Sequence, residues 1–164
     1  MSSMLLSKQQ FSAQVIECQN AMFRTAKAIL GSDEDAEDAV QEAICAAFVH
    51  RGGLRNAAKF RPWILRILSN KCYDILRKRR NTVDLADVED YLCAAEPDRT
   101  EYLALWQAIM TLSDELRIVV TLFYYDGFSV REISEILGIR EGAVKTRLFR
   151  GREQLRNLLR ETVR

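Results

Sequence analysis

Glycine and proline are scarce in this chain, at 7 and 2 residues in 164. So few backbone breakers leave little for the tight turns of a sheet protein, and with Ala, Leu, Glu and Arg abundant they predict an all-α fold. Histidine is scarcer still, with His50 alone. A helical-bundle enzyme with a di-metal carboxylate centre needs convergent Glu-x-x-His pairs, and one histidine on a Gly-rich stretch does not supply them. No metal site of that kind is therefore expected, and nothing in the pattern calls for a cofactor. Cys18, Cys45, Cys72 and Cys93 contain no C-x-x-C pair, which disfavours zinc and disulfide frameworks and makes reduced thiols the default. No apolar stretch has membrane-spanning length, and no basic segment followed by a long apolar run opens the chain. A cytoplasmic protein without direct membrane insertion is expected.

Hydrophobic residues make up 48% of the chain and charged residues 29%, enough to build cores. The net charge of +1 conceals strong segmentation. Residues 32–48 carry six acids and no Lys or Arg; residues 51–80 carry ten bases against Asp74 alone. Residues 81–101 hold seven acids against Arg99, and residues 129–164 hold nine bases and five acids. Two basic blocks separated by acidic ones fit two DNA-contacting surfaces on one chain.

The second basic block has the clearest pattern. Ser129 with Glu132 three residues on forms a capping box, Val130, Ile133, Ile136 and Leu137 recur at helical spacing, and Gly138 ends the run. A second helix then starts near Arg140, with Val144, Leu148, Leu155, Leu158 and Leu159 inward and cations on its other face. Two helices joined through a glycine, the second basic, describe a helix-turn-helix. The same pattern also suits a helical hairpin with a solvated basic face.

Upstream, Lys8–Leu30 reads as a core helix with Phe11, Val15, Ile16, Ala21, Met22, Phe23, Ala26, Ile29 and Leu30 inward, stopped by Gly31. Ser32 caps a second helix whose early acids suit the positive end of a helix dipole; Asp38, Gln41 and Glu42 lie beyond that turn and need another reason. Residues 49–59 form a Gly-rich basic loop without the Gly-Lys-Ser/Thr of a Walker phosphate loop. Phe60–Arg80 is one long helix with Pro62 tolerated in its first turn. Its inward stripe is Phe60, Ile64, Ile67, Leu68, Cys72, Ile75 and Leu76, and a polar stripe of Arg66, Asn70, Tyr73 and Arg77 faces elsewhere. Trp63 suits either core packing or base stacking. Residues 81–100, interrupted by Pro97, read as an acidic linker in which Val83, Leu85, Val88, Tyr91 and Leu92 offer a short helix. Tyr102, Leu105, Trp106 and Ile109 line the next helix, and Ser113 caps a further one over Asp114–Tyr125.

Three stretches resemble one family in its own order. Asp35–Phe48 (DAEDAVQEAICAAF), Phe60–Arg80 (FRPWILRILSNKCYDILRKRR) and Ser129–Arg156 are similar to regions two and four of the bacterial sigma factors, specifically the small extracytoplasmic-function group of the sigma-70 family. Two departures stand out. Leu112-Ser113-Asp114-Glu115-Leu116-Arg117 lacks the family's paired prolines, and Ser134 stands where Ala is common. The resemblance implies two small helical domains, region two over 8–80 and region four over 101–162, joined by the linker 81–100.

It also implies a function, a set of contacts and partners. The chain would bind core RNA polymerase, recognise the minus-thirty-five and minus-ten promoter elements and promote strand opening. Asp35, Asp38, Gln41 and Glu42 would meet polymerase. Arg140, Glu141, Lys145, Thr146, Arg147 and Arg150 would meet the duplex minus-thirty-five element. Arg55, Asn56, Lys59, Arg61, Trp63, Arg66, Asn70, Tyr73, Asp74, Arg77 and Lys78 would meet the melted minus-ten element. An anti-sigma factor is the implied regulator. The alternative is a helix-turn-helix regulator that binds duplex operator DNA without polymerase; it leaves the acidic helix and the Arg-rich first half unexplained, and no dimerisation heptad positions two half-sites.

Overall fold

The structure, a computed structural model, describes residues 6–82 and 100–162. Seven α-helices account for most of them, and no strand occurs among the described residues. They are α1 (Lys8–Leu30), α2 (Asp33–Val49), α3 (Phe60–Thr82), α4 (Thr100–Thr111), α5 (Asp114–Val120), α6 (Val130–Leu137) and α7 (Glu141–Thr162). Single 3-10 turns at Arg51–Gly53 and Ala57–Lys59 interrupt the α2–α3 loop. The all-α architecture of two small helical units is as the sequence predicts; the expected linker helix lies outside the described residues.

Helix ends follow local chemistry. Ser129 and Glu132 form the reciprocal capping box of α6, with bonds of 3.1 and 3.0 Å, and Gly138 closes it in the left-handed region at φ 66°. Gly31 ends α1 in the same way at φ 78°, and Ser32 accepts from the Asp35 amide at the start of α2. Ser7 and Gln10 add a capping box that the sequence reading missed. Ser113 occupies the cap position of α5, but its hydroxyl makes no cap bond; only its carbonyl takes part, accepting from the Leu116 and Arg117 amides. The helix expected to run to Tyr125 stops at Val120 and widens into a π-helical turn over Thr121–Tyr125, closed by the Asp126 amide on the Thr121 carbonyl.

In the first unit α1, α2 and α3 pack on one another. Phe11, Val15, Cys18 and Met22 make the α1 stripe, while Ile16, expected inward, is 66% exposed because it sits about 100° round the helix from Val15. Cys18 fills the place in the stripe instead. The buried face of α2 is all alanine, Ala36, Ala39, Ala43 and Ala47. The Phe11 ring meets Phe48 and Phe60 edge-on at 5.4 and 5.7 Å. Besides Phe60, Ile64, Leu68 and Cys72, α3 buries Leu65 and Ser69, on a side the sequence stripe leaves out.

The second unit packs α4, α5 and α6 against the long α7. Leu105 of α4 and Leu159, also expected inward, are 37% and 36% exposed, the latter because the 22-residue α7 outruns the helices of 7 and 8 residues beneath it. Two small residues set the close approaches. Ser134, where the family favours alanine, donates its hydroxyl to the Ile139 carbonyl at 2.5 Å while its own carbonyl accepts from the Gly138 and Ile139 amides. The substitution thus fastens the turn of the helix-turn-helix. At Gly151 a Cβ would lie 2.6 Å from Cγ2 of the buried Val120, so α7 crosses α5 at a distance only glycine permits.

Val120 is β-branched and fixed in one rotamer on its helix, so it cannot yield. Gly151→Val is expected to lower stability by about 2–3 kcal/mol through overpacking. Gly142, also in α7 but with nothing within 4 Å, is the opposite case. Gly142→Ala is expected to raise stability by about 0.5 kcal/mol through helix propensity alone. Urea titration followed by helical circular dichroism reads both; the same sign for the pair would refute the assigned crossing.

Candidate nucleic-acid interface

The turn Gly138–Arg140 sets α7 against α6 and leaves Arg140, Glu141, Lys145, Thr146 and Arg150 exposed along one side of the second unit. Glu141 stands in the first turn of α7, where a carboxylate suits the helix dipole. The Thr146 hydroxyl donates to the Gly142 carbonyl at 2.9 Å, which leaves its lone pairs free to accept. Arg147 is half-buried and leans toward Glu115 of α5 at 3.8 Å, so it is set apart from the five exposed charged and polar groups. Phe149, 62% exposed, shares the face of Lys145 and Thr146 four and three residues before it, and as an apolar residue it carries no charge or polarity signal in the sequence.

On the first unit, Arg55, Asn56 and Lys59 are exposed in the α2–α3 loop. The Asn56 side chain accepts from the Ala58 amide at 3.0 Å and shapes the second 3-10 turn. Trp63 is half-buried with its ring 5.7 Å from Phe60, joined to the core and still partly open. Asn70, Tyr73 and Lys78 are exposed on α3. Asp74 and Arg77 are paired with each other. The acid cancels part of the charge its neighbour would present to a phosphate.

The acidic face of α2 divides in two. Asp38, Gln41 and Glu42 are exposed, whereas Asp35 pairs with Arg79 of α3 and ties the start of one helix to the end of the other. Gln41 and Glu42 border a shallow groove completed by Cys45, Ala46, Val49, His50 and Lys71. Val49, 74% exposed, gives this acidic surface an apolar centre. Among the described residues no group of three His, Cys, Asp or Glu side chains is placed to hold a metal ion, and no helix is long and apolar enough to cross a membrane.

Two of the α3 cations do not face solvent alone. Arg61 donates to the Asp126 carbonyl at 3.0 Å and lies 4.7 Å over the Phe128 ring, and Arg66 donates to the Glu135 carbonyl at 3.0 Å. The Ser69 hydroxyl donates to the Ile136 carbonyl at 3.0 Å. From α1, Arg24 donates twice to Oδ1 of Asp126 at 2.6 and 2.9 Å, and from α5, Arg117 donates back to the Ala28 carbonyl at 3.1 Å. The Asp126 side chain is fully buried, and burial pushes its carboxyl up from the ordinary value against the hydrogen bond and charge of Arg24. The roles of Arg24, Ser69, Arg117 and Asp126 between the units carried no signal in the sequence, since their partners in the other unit lie 67 to 102 residues away.

Comparison with known proteins agrees with this geometry. Residues 15–82 match the family model for sigma-70 region 2, and residues 102–155 match that for sigma-70, region 4. The chain is 35% identical over 157 residues to the ECF RNA polymerase sigma factor SigW of Bacillus subtilis, covering 81% of this chain and 80% of that one. It is 36% identical over 141 residues to SigM of Mycobacterium tuberculosis, covering 84% and 71%. Among solved structures it superposes with a TM-score of 0.81 on the sigma factor RpoE of Bartonella quintana in complex with the anti-sigma factor NepR, at 26% identity over 93% of this chain and 98% of that one. CnrH in complex with the cytosolic domain of CnrY gives 0.69, at 26% identity over 94% and 90%.

The cysteines report which surfaces are open. Cys18 and Cys72 are buried and Cys45 is exposed; burial pushes the Cys72 thiol up to about 12. In a Cys93→Ser background at pH 8, one thiol is expected to react rapidly with a chromogenic disulfide and two only on unfolding. Three fast thiols would refute the packing of α1 and α3.

Proposed function

The chain belongs to the sigma-70 family as a small sigma factor of the extracytoplasmic-function group, and from that premise we propose how its surfaces divide the work of transcription initiation. Its function is that of an RNA polymerase sigma factor, and the reading of an operator-binding regulator is not favoured. The observation that carries this is the presence of both regions in one chain, an acidic helix beside an Arg-rich helix followed by a helix-turn-helix. A regulator needs only the last of these.

The exposed Asp38, Gln41 and Glu42, with the groove around Val49, dock on core polymerase. Asp35 serves chiefly to hold α2 against α3 through Arg79. Arg140, Glu141, Lys145, Thr146, Arg147 and Arg150 meet the minus-thirty-five duplex, where an arginine can bond guanine bidentately and a lysine holds phosphate. The loop residues Arg55, Asn56 and Lys59, with Arg61, Trp63, Arg66, Asn70, Tyr73, Asp74, Arg77 and Lys78 on α3, capture the opened minus-ten strand. Unstacking costs a few kcal/mol per step and is offset by base capture and phosphate contacts. No bond is made or broken by this chain; RNA synthesis belongs to polymerase. The division into 8–80, 81–100 and 101–162 serves the two promoter elements in turn. The protein acts in the cytoplasm beside polymerase, and an anti-sigma factor holds it in check, as the complexes of its structural neighbours suggest.

Run-off transcription with purified core polymerase on a fragmented genome tests the reading. Discrete new start sites sharing upstream elements are expected; tight duplex binding by the chain alone with no stimulation would favour an operator-binding regulator. Arg147→Ala is expected to cost about 1–3 kcal/mol and relax preference at one promoter position, whereas Lys145→Ala weakens all sequences alike. Competition with single-base promoter variants separates the two. In the Cys93→Ser background, a bulky maleimide on Cys45 should abolish core binding while leaving the helical signal intact.

A further inference from the structure

We propose that Glu115 of α5 is a positioning residue for promoter reading: it aims the Arg147 guanidinium at the edge of α7 and thereby sharpens the base preference at the position Arg147 meets. The inference rests on the reading of Arg147 as a base-contacting side chain of the minus-thirty-five site. Three observations carry it.

The first is how the two side chains are brought together. α5 and α7 cross at Gly151, where a Cβ would stand 2.6 Å from Val120 and 3.9 Å from both Cβ and the carbonyl oxygen of Leu116. Arg147 lies four residues before Gly151, one turn along the same side of α7, and Glu115 directly precedes Leu116. The crossing thus delivers Arg147 to Glu115 on two helices packed at glycine distance. Nη2 of Arg147 stands 3.8 Å from Oε1 of Glu115. Arg150, exposed three residues further on, shares the side of Arg147, so the pair borders the DNA-facing surface.

The second is which carboxylate answers Arg147. Asp114 and Glu115 both border the groove that Arg147 lines. Asp114 already accepts from Arg117 at 2.6 Å, and Arg77, on the opposite wall, is paired with Asp74. The partner of Arg147 is therefore Glu115. At 3.8 Å the attraction is one of charge and not a hydrogen bond. It directs the guanidinium without taking up any of the five N–H donors that guanine or phosphate would use.

The third is that the pair does little for the fold. The Glu115 side chain is 73% exposed, and an ion pair so open to water adds little to stability. Buried Leu116, Val119, Val120, Val144 and Leu148 hold the second unit together without it. What the carboxylate changes is the freedom of a long side chain. An unrestrained arginine loses rotamer freedom on meeting a base, and one already aimed loses less. A carboxylate beside DNA also repels the phosphates of every sequence alike. Glu115 thus exchanges general affinity for discrimination at one position.

The test uses holoenzyme assembled from purified core polymerase and the full chain, as wild type, Arg147→Ala, Glu115→Gln, Glu115→Asp and the double variant of Arg147→Ala with Glu115→Gln. The probe is a promoter recovered by run-off transcription, with its minus-thirty-five element varied one base at a time. Sequencing bound against unbound duplex reads the preference at each position, and circular dichroism with urea titration is expected to show Glu115→Gln folded as wild type. Arg147→Ala identifies the position that Arg147 reads. There Glu115→Gln should lose discrimination about threefold, while binding of all the varied promoters strengthens. Glu115→Asp, which keeps the charge, should stay nearer wild type. The double variant should discriminate no worse than Arg147→Ala alone, because Glu115 acts through Arg147. Unchanged discrimination in Glu115→Gln, with or without a gain in general affinity, overturns the positioning role and leaves the reading of Arg147 standing. A loss confined to positions that Arg147→Ala leaves untouched overturns it too. If Arg147→Ala shifts no position, the base-reading assignment fails and the positioning role fails with it.

Discussion

An α-helix leaves its last four carbonyls without partners inside the helix, and where those partners come from decides how this chain is put together. Gly31 and Gly138 turn the backbone so that the chain satisfies some of its own. Arginines satisfy others: Arg51 takes the Phe48 carbonyl, Arg117 those of Leu112 and Ala28, and Arg66 that of Glu135. Two of these bonds cross between units, in opposite directions. α5 caps the end of α1, and α3 caps the end of α6. The interface is thus held by a reciprocal exchange of helix-end capping around the buried Asp126, alongside the apolar contact of buried side chains.

An interface of this kind differs in character from a core. Each capping bond contributes about 1 kcal/mol net, because water would serve the same groups if the units parted. The Arg24–Asp126 pair adds little beyond its own desolvation, although removing one partner alone is costly. The cores of the two units, in contrast, rest on rings and aliphatic chains at zero or near-zero exposure, such as Phe60, Ile64, Met22, Ile118 and Ile133. Burial of that kind has no substitute in water. The units should therefore persist as folded bodies when the contact between them is lost, which is what a protein reading two distant DNA elements requires.

The parts legible in the sequence were those whose cause is local. Ser129 with Glu132, Gly138, Ser32 and Gly31 sit within a few residues of the groups they serve, and each does what its pattern foretold. Periodicity located the inward stripes but not their edges: Ile16 and Leu159 fall outside because one helix step and one helix length are decided by neighbours. The π-helical turn after Val120 has no local signature, yet it bears on where Asp126 meets Arg24. The polar stripe of α3 was recognised as a surface, and its second use was invisible, since nothing in Arg66 or Ser69 tells that the carbonyls of residues 135 and 136 will reach them. Charge type is written in sequence; the choice between phosphate and carbonyl is written in tertiary structure.

Residues 83–99, seventeen in all, join the last helix of the first unit to the first helix of the second. A tether of that length keeps the two surfaces at an effective concentration on the order of a millimolar. An interface with an intrinsic dissociation constant near a millimolar, about 4 kcal/mol, is then half closed, although two separate proteins with the same surfaces would scarcely meet. A few hydrogen bonds suffice to shift such a balance either way. How firmly the two units hold together can accordingly drift through single substitutions at positions like Arg24, so chains alike within each unit can differ in how readily the units part.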